Sequence, residues 1–345
     1  MNEDLTLMSS ASLSQLYLGK ILADGYFKNE TLQTLDEDLR DVLTVFFLKP
    51  IKPGNAFRFR HEISLDYNAA YQCCKTIFED STAFLEQSQQ LLKLLYSVSE
   101  NQNIIEGEFY AAYFDRVTYK GHYVKAIGIF KSESKDPFLT IGHQQKDLTM
   151  ERQEGISIHN IHKGAVIYEV LDEPGFEVSI FDKNNNQNPA RFWVDDFLNV
   201  QIVADQFYQT EHVLKLCKDF AQKGECELDG VSKADLLNRT MDYFKTQENF
   251  SLQQFEAEVL QEEEVMQSFY NHREKFMEKA GVTELDENFE ISLPAIQKAK
   301  KYIRSVIKLD KNFHLYVHGR RDLVERGFDE EKEMNFYKVY FKEEH

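Results

Sequence analysis

Apolar positions in the N-terminal part of the chain recur mainly at helical spacing. Between 36 and 48, Leu39, Val42, Leu43, Phe46 and Phe47 fall at this spacing, which predicts a helix that stops before Pro50 and Pro53. Two further helices are expected at 68–79 and 82–99, the second carrying Leu85, Leu91, Leu92, Leu94 and Leu95. Residues 13–24 mix apolar and small polar positions and fit either strand or helix. At 57–63, Phe57, Phe59 and Ile63 interleave with Arg58, Arg60 and Glu62, which reads as a short strand in a mostly helical third of the chain.

From Gly107 the period changes to two. Residues 109–119 and 123–130 flank a Lys120-Gly121 turn and predict a β-hairpin. Strands at 165–171 and 176–182 flank Asp172-Glu-Pro-Gly175, and the Asn-rich stretch 184–189 makes the next loop. Together these segments predict an antiparallel sheet over 107–184, packed on the N-terminal helices.

Helical spacing returns at 204–222 and ends at Gly224. Ser232 with Asp235 is expected to start another helix, and Ser251-Leu-Gln-Gln254 has the spacing of a capping box, with Phe250 and Phe255 placed as a hydrophobic staple. A long acidic helix is expected at 262–280, ended by Gly281. A helix at 293–304 and strands at 306–310, 313–318 and 336–341 complete the chain. The expected class is α+β: a helical N-terminal segment packed on a central antiparallel sheet, then a helical segment and a small mixed α/β C-terminal part. The expected domains are 1–224 and 225–345, with the break in the polar stretch between Gln222 and Ser232.

Composition narrows the class. Gly and Pro together are 21 of 345 residues, about half their usual share, which argues against linker-rich or low-complexity chains. Four cysteines, Cys73, Cys74, Cys217 and Cys226, are too few for a disulfide framework at this length and point to a reducing cytosol. The N-terminus has no basic segment followed by an apolar run, and no stretch approaches the length of a membrane span, so a soluble cytoplasmic protein without membrane contact is expected. The formal charge of −18 repels nucleic acid at long range, so any DNA contact must be local.

Candidate chemistry is sparse. No Walker A, G-x-G-x-x-G, G-x-S-x-G or H-E-x-x-H motif is present. His159 and His162 fall in a loop-like stretch. His314 and His318 on one strand would stand about 13 Å apart, too far for one metal. Asp195 and Asp196 are neighbours and do not share a face in regular structure. No catalytic residue, cofactor or metal is therefore expected, and a nuclease using Asp182, Asp195 or Asp196 is only a third reading. A small basic cluster, Lys49, Lys52, Arg58 and Arg60, alternates with Phe57 and Phe59. That pattern fits a single-strand stacking platform or, more simply, a strand with one buried and one wet face.

The charge distribution says more. Residues 251–290 hold 11 acidic and 3 basic residues, net −8. Residues 292–321 hold Lys298, Lys300, Lys301, Arg304, Lys308, Lys311, Arg320 and Arg321 against Asp310, net +7. On a helix, Ile296, Ala299 and Ile303 share one side and leave Lys300, Lys301 and Arg304 towards solvent. Repeated cations without base-edge geometry suit phosphates.

Two passages carry a resemblance: Ala190-Arg-Phe-Trp-Val-Asp-Asp-Phe-Leu-Asn-Val200, and Val306-Ile-Lys-Leu-Asp-Lys-Asn-Phe-His-Leu-Tyr-Val-His318 with Gly327-Phe-Asp-Glu330 and Asn335-Phe-Tyr-Lys-Val-Tyr-Phe341. With the order of elements, the chain resembles the bacterial nucleoid-associated protein family, NdpA-like. The resemblance implies a cytoplasmic, nucleoid-associated protein that binds DNA with little sequence preference, and it brings no catalytic set; double-stranded DNA is the expected partner, although the sequence does not give the preference between double and single strands. The basic stripe is the expected contact. The alternative is an acidic module that meets a protein partner through the helix near Glu262, or that mimics DNA. Oligomeric state is not legible.

Overall fold

Strand β4 (Gly107–Tyr119) carries Phe109-Tyr-Ala-Ala-Tyr-Phe114, apolar at every position, and that run forces a sheet covered on both faces. A computed structural model of the chain describes residues 11–99, 106–144, 147–159, 161–170, 175–183, 192–224, 230–282, 284–303, 306–309, 313–316 and 323–343. It contains two compact units, Met1–Val203 and Ala204–His345.

In the first unit β4 pairs with β5 (His122–Ser132) through the expected Lys120-Gly121 turn, where both residues have positive φ. The full sheet is antiparallel throughout. Its order is β10 (Val200–Ile202), β3 (Phe57–Phe59), β9 (Glu177–Asp182), β8 (Lys163–Tyr168), β5, β4, β1 (Ser12–Leu22), β2 (Gly25–Lys28). Residues 13–24, ambiguous in the sequence, thus form a strand and the tight turn after it. The sheet extends beyond 107–184 on both sides, and the first third is less helical than its spacing suggests.

Helix α1 (Glu37–Leu48) is capped by Asp36, which accepts from the Leu39 N–H. It covers one face of the sheet, where Phe47 stacks on Phe130 at 4.6 Å. The other face is covered by α2 (Ala69–Glu79), α3 (Phe84–Ser99) and a π-helical turn, Phe192–Leu198. Alternate residues of β4 feed the two cores: Phe109, Ala111 and Tyr113 one, Tyr110, Ala112 and Phe114 the other. Gly164 of β8 lies under Phe130 and Phe181, where a Cβ would collide with both rings. A separate ribbon of β6 (Asp136–Gln144) and β7 (Asp147–Gly155), which the spacing does not announce, is inserted between β5 and β8.

The second unit is built on α4 (Gln206–Lys223), α5 (Gly230–Thr246), α6 (Leu252–Phe255), α7 (Glu263–Ala280) and α8 (Leu293–Ala299). The compact units divide earlier than the break expected after Gly224. Val213, Leu214, Leu216, Cys217 and Phe220 of α4 share a core with Leu236, Phe244 and Phe269, so α4 belongs with the helices that follow it. The staple pair Phe250 and Phe255 stands at 5.5 Å, but Ser251 makes no side-chain capping bond. Ser251 lies in β11 (Asn249–Ser251), and the Tyr243 hydroxyl bonds its N–H and carbonyl, so the backbone there is already satisfied. Ser232 falls inside α5 and does not start it. β11 pairs with β12 (Asn288–Glu290), β13 (Val306–Leu309) with β14 (Phe313–Tyr316), and β15 (Val324–Asp329) with β16 (Met334–Val339).

Candidate nucleic-acid interface

The basic stripe starts where α8 packs on α4. Asp205 caps α4 by accepting from the Tyr208 N–H at 3.1 Å. One turn later the Thr210 hydroxyl accepts from the Ser292 N–H at 3.0 Å, which fixes the start of α8 against α4. Pro294 in the first turn of α8 leaves an N–H absent where none is needed. Helix α8 ends at Ala299, short of the expected 304; it buries Ile296 and Ala299, as the spacing predicts, with Ala295 beside them, and Ile303 after it is buried too.

This packing turns Lys298 inward along the seam. Its ammonium lies 2.6 Å from the carboxylate of Glu211 and 5.3 Å from the centre of the Phe207 ring. Lys215, one turn along α4, reaches the same carboxylate at 3.1 Å. The Glu211 side chain is only 1% exposed. Burial pushes its carboxyl up, but Lys298 and Lys215 outweigh burial and hold it below its ordinary value, so it stays ionised at neutral pH. Further along the seam the Lys218 ammonium lies 5.2 Å from the Tyr302 ring centre. Lys300 and Lys301 are exposed at the end of α8. The seam thus gathers five lysines and one carboxylate, net +4, in a chain of −18.

Sequence reasoning finds Lys298, Lys300 and Lys301 but misses Lys215 and Lys218, because only the packing of α8 on α4 brings them alongside. It also misses Glu211, which neutralises part of the stripe. Lys308 lies on β13, but its side chain, together with Arg304, Lys311, Arg320 and Arg321, falls outside the described residues. The His314 side chain and His318 fall outside them as well.

The other candidates resolve into structure. Phe57 and Phe59 are buried in the short strand β3, Arg58 pairs with the buried Glu177 at 3.2 Å, Arg60 lies 3.9 Å from Asp195, and Lys49 lies apart at the end of α1, so the two aromatic rings belong to the core and do not form a stacking platform. Asp195 and Asp196 sit in the π-helical turn, and Asp182 is buried at the end of β9. No group of three or more His, Cys, Asp or Glu residues among the described residues has the arrangement of a metal site. His162 accepts the Glu133 N–H at Nδ1, while His159 is exposed. Cys73, Cys74 and Cys217 are free and buried, and burial pushes the Cys73 thiol up to about 11. No helix among the described residues is long and apolar enough to cross a membrane.

The family model described as nucleoid-associated protein YejK matches residues 28–335, most of the chain. No curated protein and no solved structure matches it.

Proposed function

The chain belongs to the nucleoid-associated protein YejK family, and from that premise we propose that it binds duplex DNA with little sequence preference through the cationic seam of α4 and α8. The observation that carries this reading is the gathering of Lys215, Lys218, Lys298, Lys300 and Lys301 at one seam of an acidic chain. The reading also takes in Arg304, Lys308, Lys311, Arg320 and Arg321, which belong to the same basic stretch of the sequence. Cations at repeated spacing bind phosphates, and phosphate contacts fix position without reading bases. The role is non-catalytic and cytoplasmic, at the nucleoid, and needs no cofactor.

Fluorescence anisotropy with labelled duplexes of unrelated sequence tests it. For about three to five neutralised phosphates, log K against log salt is expected to slope at roughly −3 to −4.5. Changing Lys300, Lys301 and Arg304 together to Gln is expected to flatten the slope by roughly 2 to 3, with DNA recovered intact in Mg²⁺. An unchanged slope in the folded triple variant would remove the seam from the account. Absence of DNA binding by the parent chain would favour the acidic module, for which Glu262, Glu263 and Glu264 stand exposed at the start of α7.

A further inference from the structure

The insert that carries β6 and β7 leaves the sheet after Ser132 and returns to it at Lys163. One side chain closes its neck. The His162 imidazole accepts the Glu133 N–H at Nδ1, 3.0 Å away, although the two residues stand 29 positions apart. Its Nε2 lies 3.2 Å from the Ser134 hydroxyl. The backbone of His162 is held as well: its N–H donates to the Lys131 carbonyl at 3.1 Å, and its carbonyl accepts from the Lys183 N–H at 2.8 Å. The ring thus joins the chain leaving β5 to the chain entering β8, with the end of β9 alongside.

Hydrogen bonding fixes the ring's charge. A nitrogen that accepts an N–H carries no proton, so the imidazole is neutral and its one proton sits on Nε2, from which it donates to the Ser134 oxygen. In this tautomer Nε2 cannot draw a proton from Ser134, so the two do not act as nucleophile and base. The charged groups about the ring come from each neighbouring strand. Lys163 of β8 and Lys183 after β9 are the cations, and Glu133 and Asp136, at the start of β6, are the anions. Lys131 of β5 reaches the ring only through Glu133, whose carboxylate it shares with Lys163 at 3.1 Å and 2.9 Å, and Asp182 of β9 stands opposite Lys163. Burial, helped by Lys183 and Lys163, outweighs Glu133 and Asp136 and holds the imidazole below its ordinary value of 6.5.

We propose that His162 is a proton-operated clasp on the neck of the insert: neutral, it ties Glu133 and Ser134 to the sheet, and protonated it lets the ribbon swing. The reason is one of valence. An imidazolium carries N–H at both nitrogens, so Nδ1 would face the Glu133 N–H donor to donor, and that bond is lost. The freed N–H then needs water, which reaches it only through an opened neck. Little else holds the ribbon. Among the described residues β6 and β7 pair only with each other, and a two-stranded ribbon is marginal in water by itself. The Lys135 ammonium lies 3.5 Å from the Glu108 carboxylate, but it is half-exposed and such a pair contributes little. Two anchors outlast the clasp: the Glu133 carboxylate between its lysines, and Ile161, buried in the core. Release is therefore confined to the ribbon and leaves the sheet intact. Its sign follows from the depressed imidazole. The clasp is complete above 6.5 and loosens as pH falls below that towards the lower folded value.

Amide hydrogen exchange on the full chain tests the clasp, read as protection factors at about pH 7.5 and about pH 5.5, about one unit either side of the ordinary value. The Glu133 amide and those of β6 and β7 are expected to lose protection at the lower pH by up to about tenfold, while β4 and β5 keep theirs. Two variants separate the proton from the packing. His162→Asn puts an amide oxygen where Nδ1 stands, which accepts the same N–H and does not titrate, and is expected to stay closed at both pH values. His162→Ala is expected to be open at both. Nitrogen NMR of the ring gives an independent arm, with the proton expected on Nε2 and absent from Nδ1 at about pH 7.5. Equal protection of the parent at the two pH values, a parent-like pH response in either variant, or a proton on Nδ1 would each overturn the proposal.

Discussion

Glu211 sits where α4 and α8 meet and binds two of the seam's ammonium groups, those of Lys215 and Lys298. Removing its charge should release both lysines to solvent and to phosphate. Glu211→Gln is therefore expected to strengthen DNA binding and to steepen the salt slope by roughly 0.9 to 1.8, one or two further contacts. The same change leaves a buried amide in place of a bridging carboxylate and is expected to cost about 1–3 kcal/mol of stability. The sign of the pH effect follows from the depressed carboxyl. Its contribution is complete above the ordinary value of 4.5 and is lost as pH falls through the lower folded value. Denaturant melts between pH 6 and pH 3, values chosen as about 1.5 units either side of that ordinary value, should show the variant losing less stability than the parent. Weaker DNA binding in Glu211→Gln would mean that Lys298 acts only as a structural partner.

At the scale of elements, α1 shows what a hydrophobic pattern conveys and what it leaves open. Its spacing announces the helix, yet Leu39 and Val42, which share that spacing with Phe46 and Phe47, are 41% and 42% exposed. The buried face is set by Phe47, which stacks on Phe130 and packs edge-on to Tyr110 at 5.6 Å. Phe47→Ala is expected to cost about 3–5 kcal/mol and Val42→Ser within about 0.5 kcal/mol in urea unfolding. Comparable losses at the two positions would contradict this docking. The central hairpin and most helices were legible because local periodicity carries them. The apolar run of β4 was legible as strand, but the period of two read there did not announce burial on both faces, which shows only in the two cores it feeds. The β6–β7 ribbon was not legible: Phe138, Leu139, Ile141, Leu148 and Met150 are spread among Thr, Gly and charged residues, and the pairing emerges only once the register is known. The cationic stripe was half legible. Lys300 and Lys301 follow from helical spacing, whereas Lys215, Lys218 and Glu211 lie about eighty residues away in sequence, and packing brings them to the seam by a contact that no local pattern encodes.

At the scale of the whole molecule, two electrostatic ranges compete. On the proposed reading the seam would attract phosphate at contact distance, where counterion release governs the salt response. The body, at −18 with pI ≈ 5.1, repels the same DNA over the Debye length. That length is about 8 Å at 0.15 M salt, so near physiological salt the body is screened and the contact term alone sets the slope. At about 0.01 M it reaches about 30 Å, and repulsion then grows as salt is withdrawn. The plot of log K against log salt is therefore expected to be straight above about 0.1 M and to flatten below about 0.05 M. Lowering the pH from 8 towards 6 reduces the body's net charge and should lessen the flattening, with little effect on the slope at high salt. Anisotropy titrations across both ranges measure this directly. A line that stays straight at low salt at both pH values would mean that the acidic body does not act on bound DNA, and the charge asymmetry between seam and body would then have no part in binding.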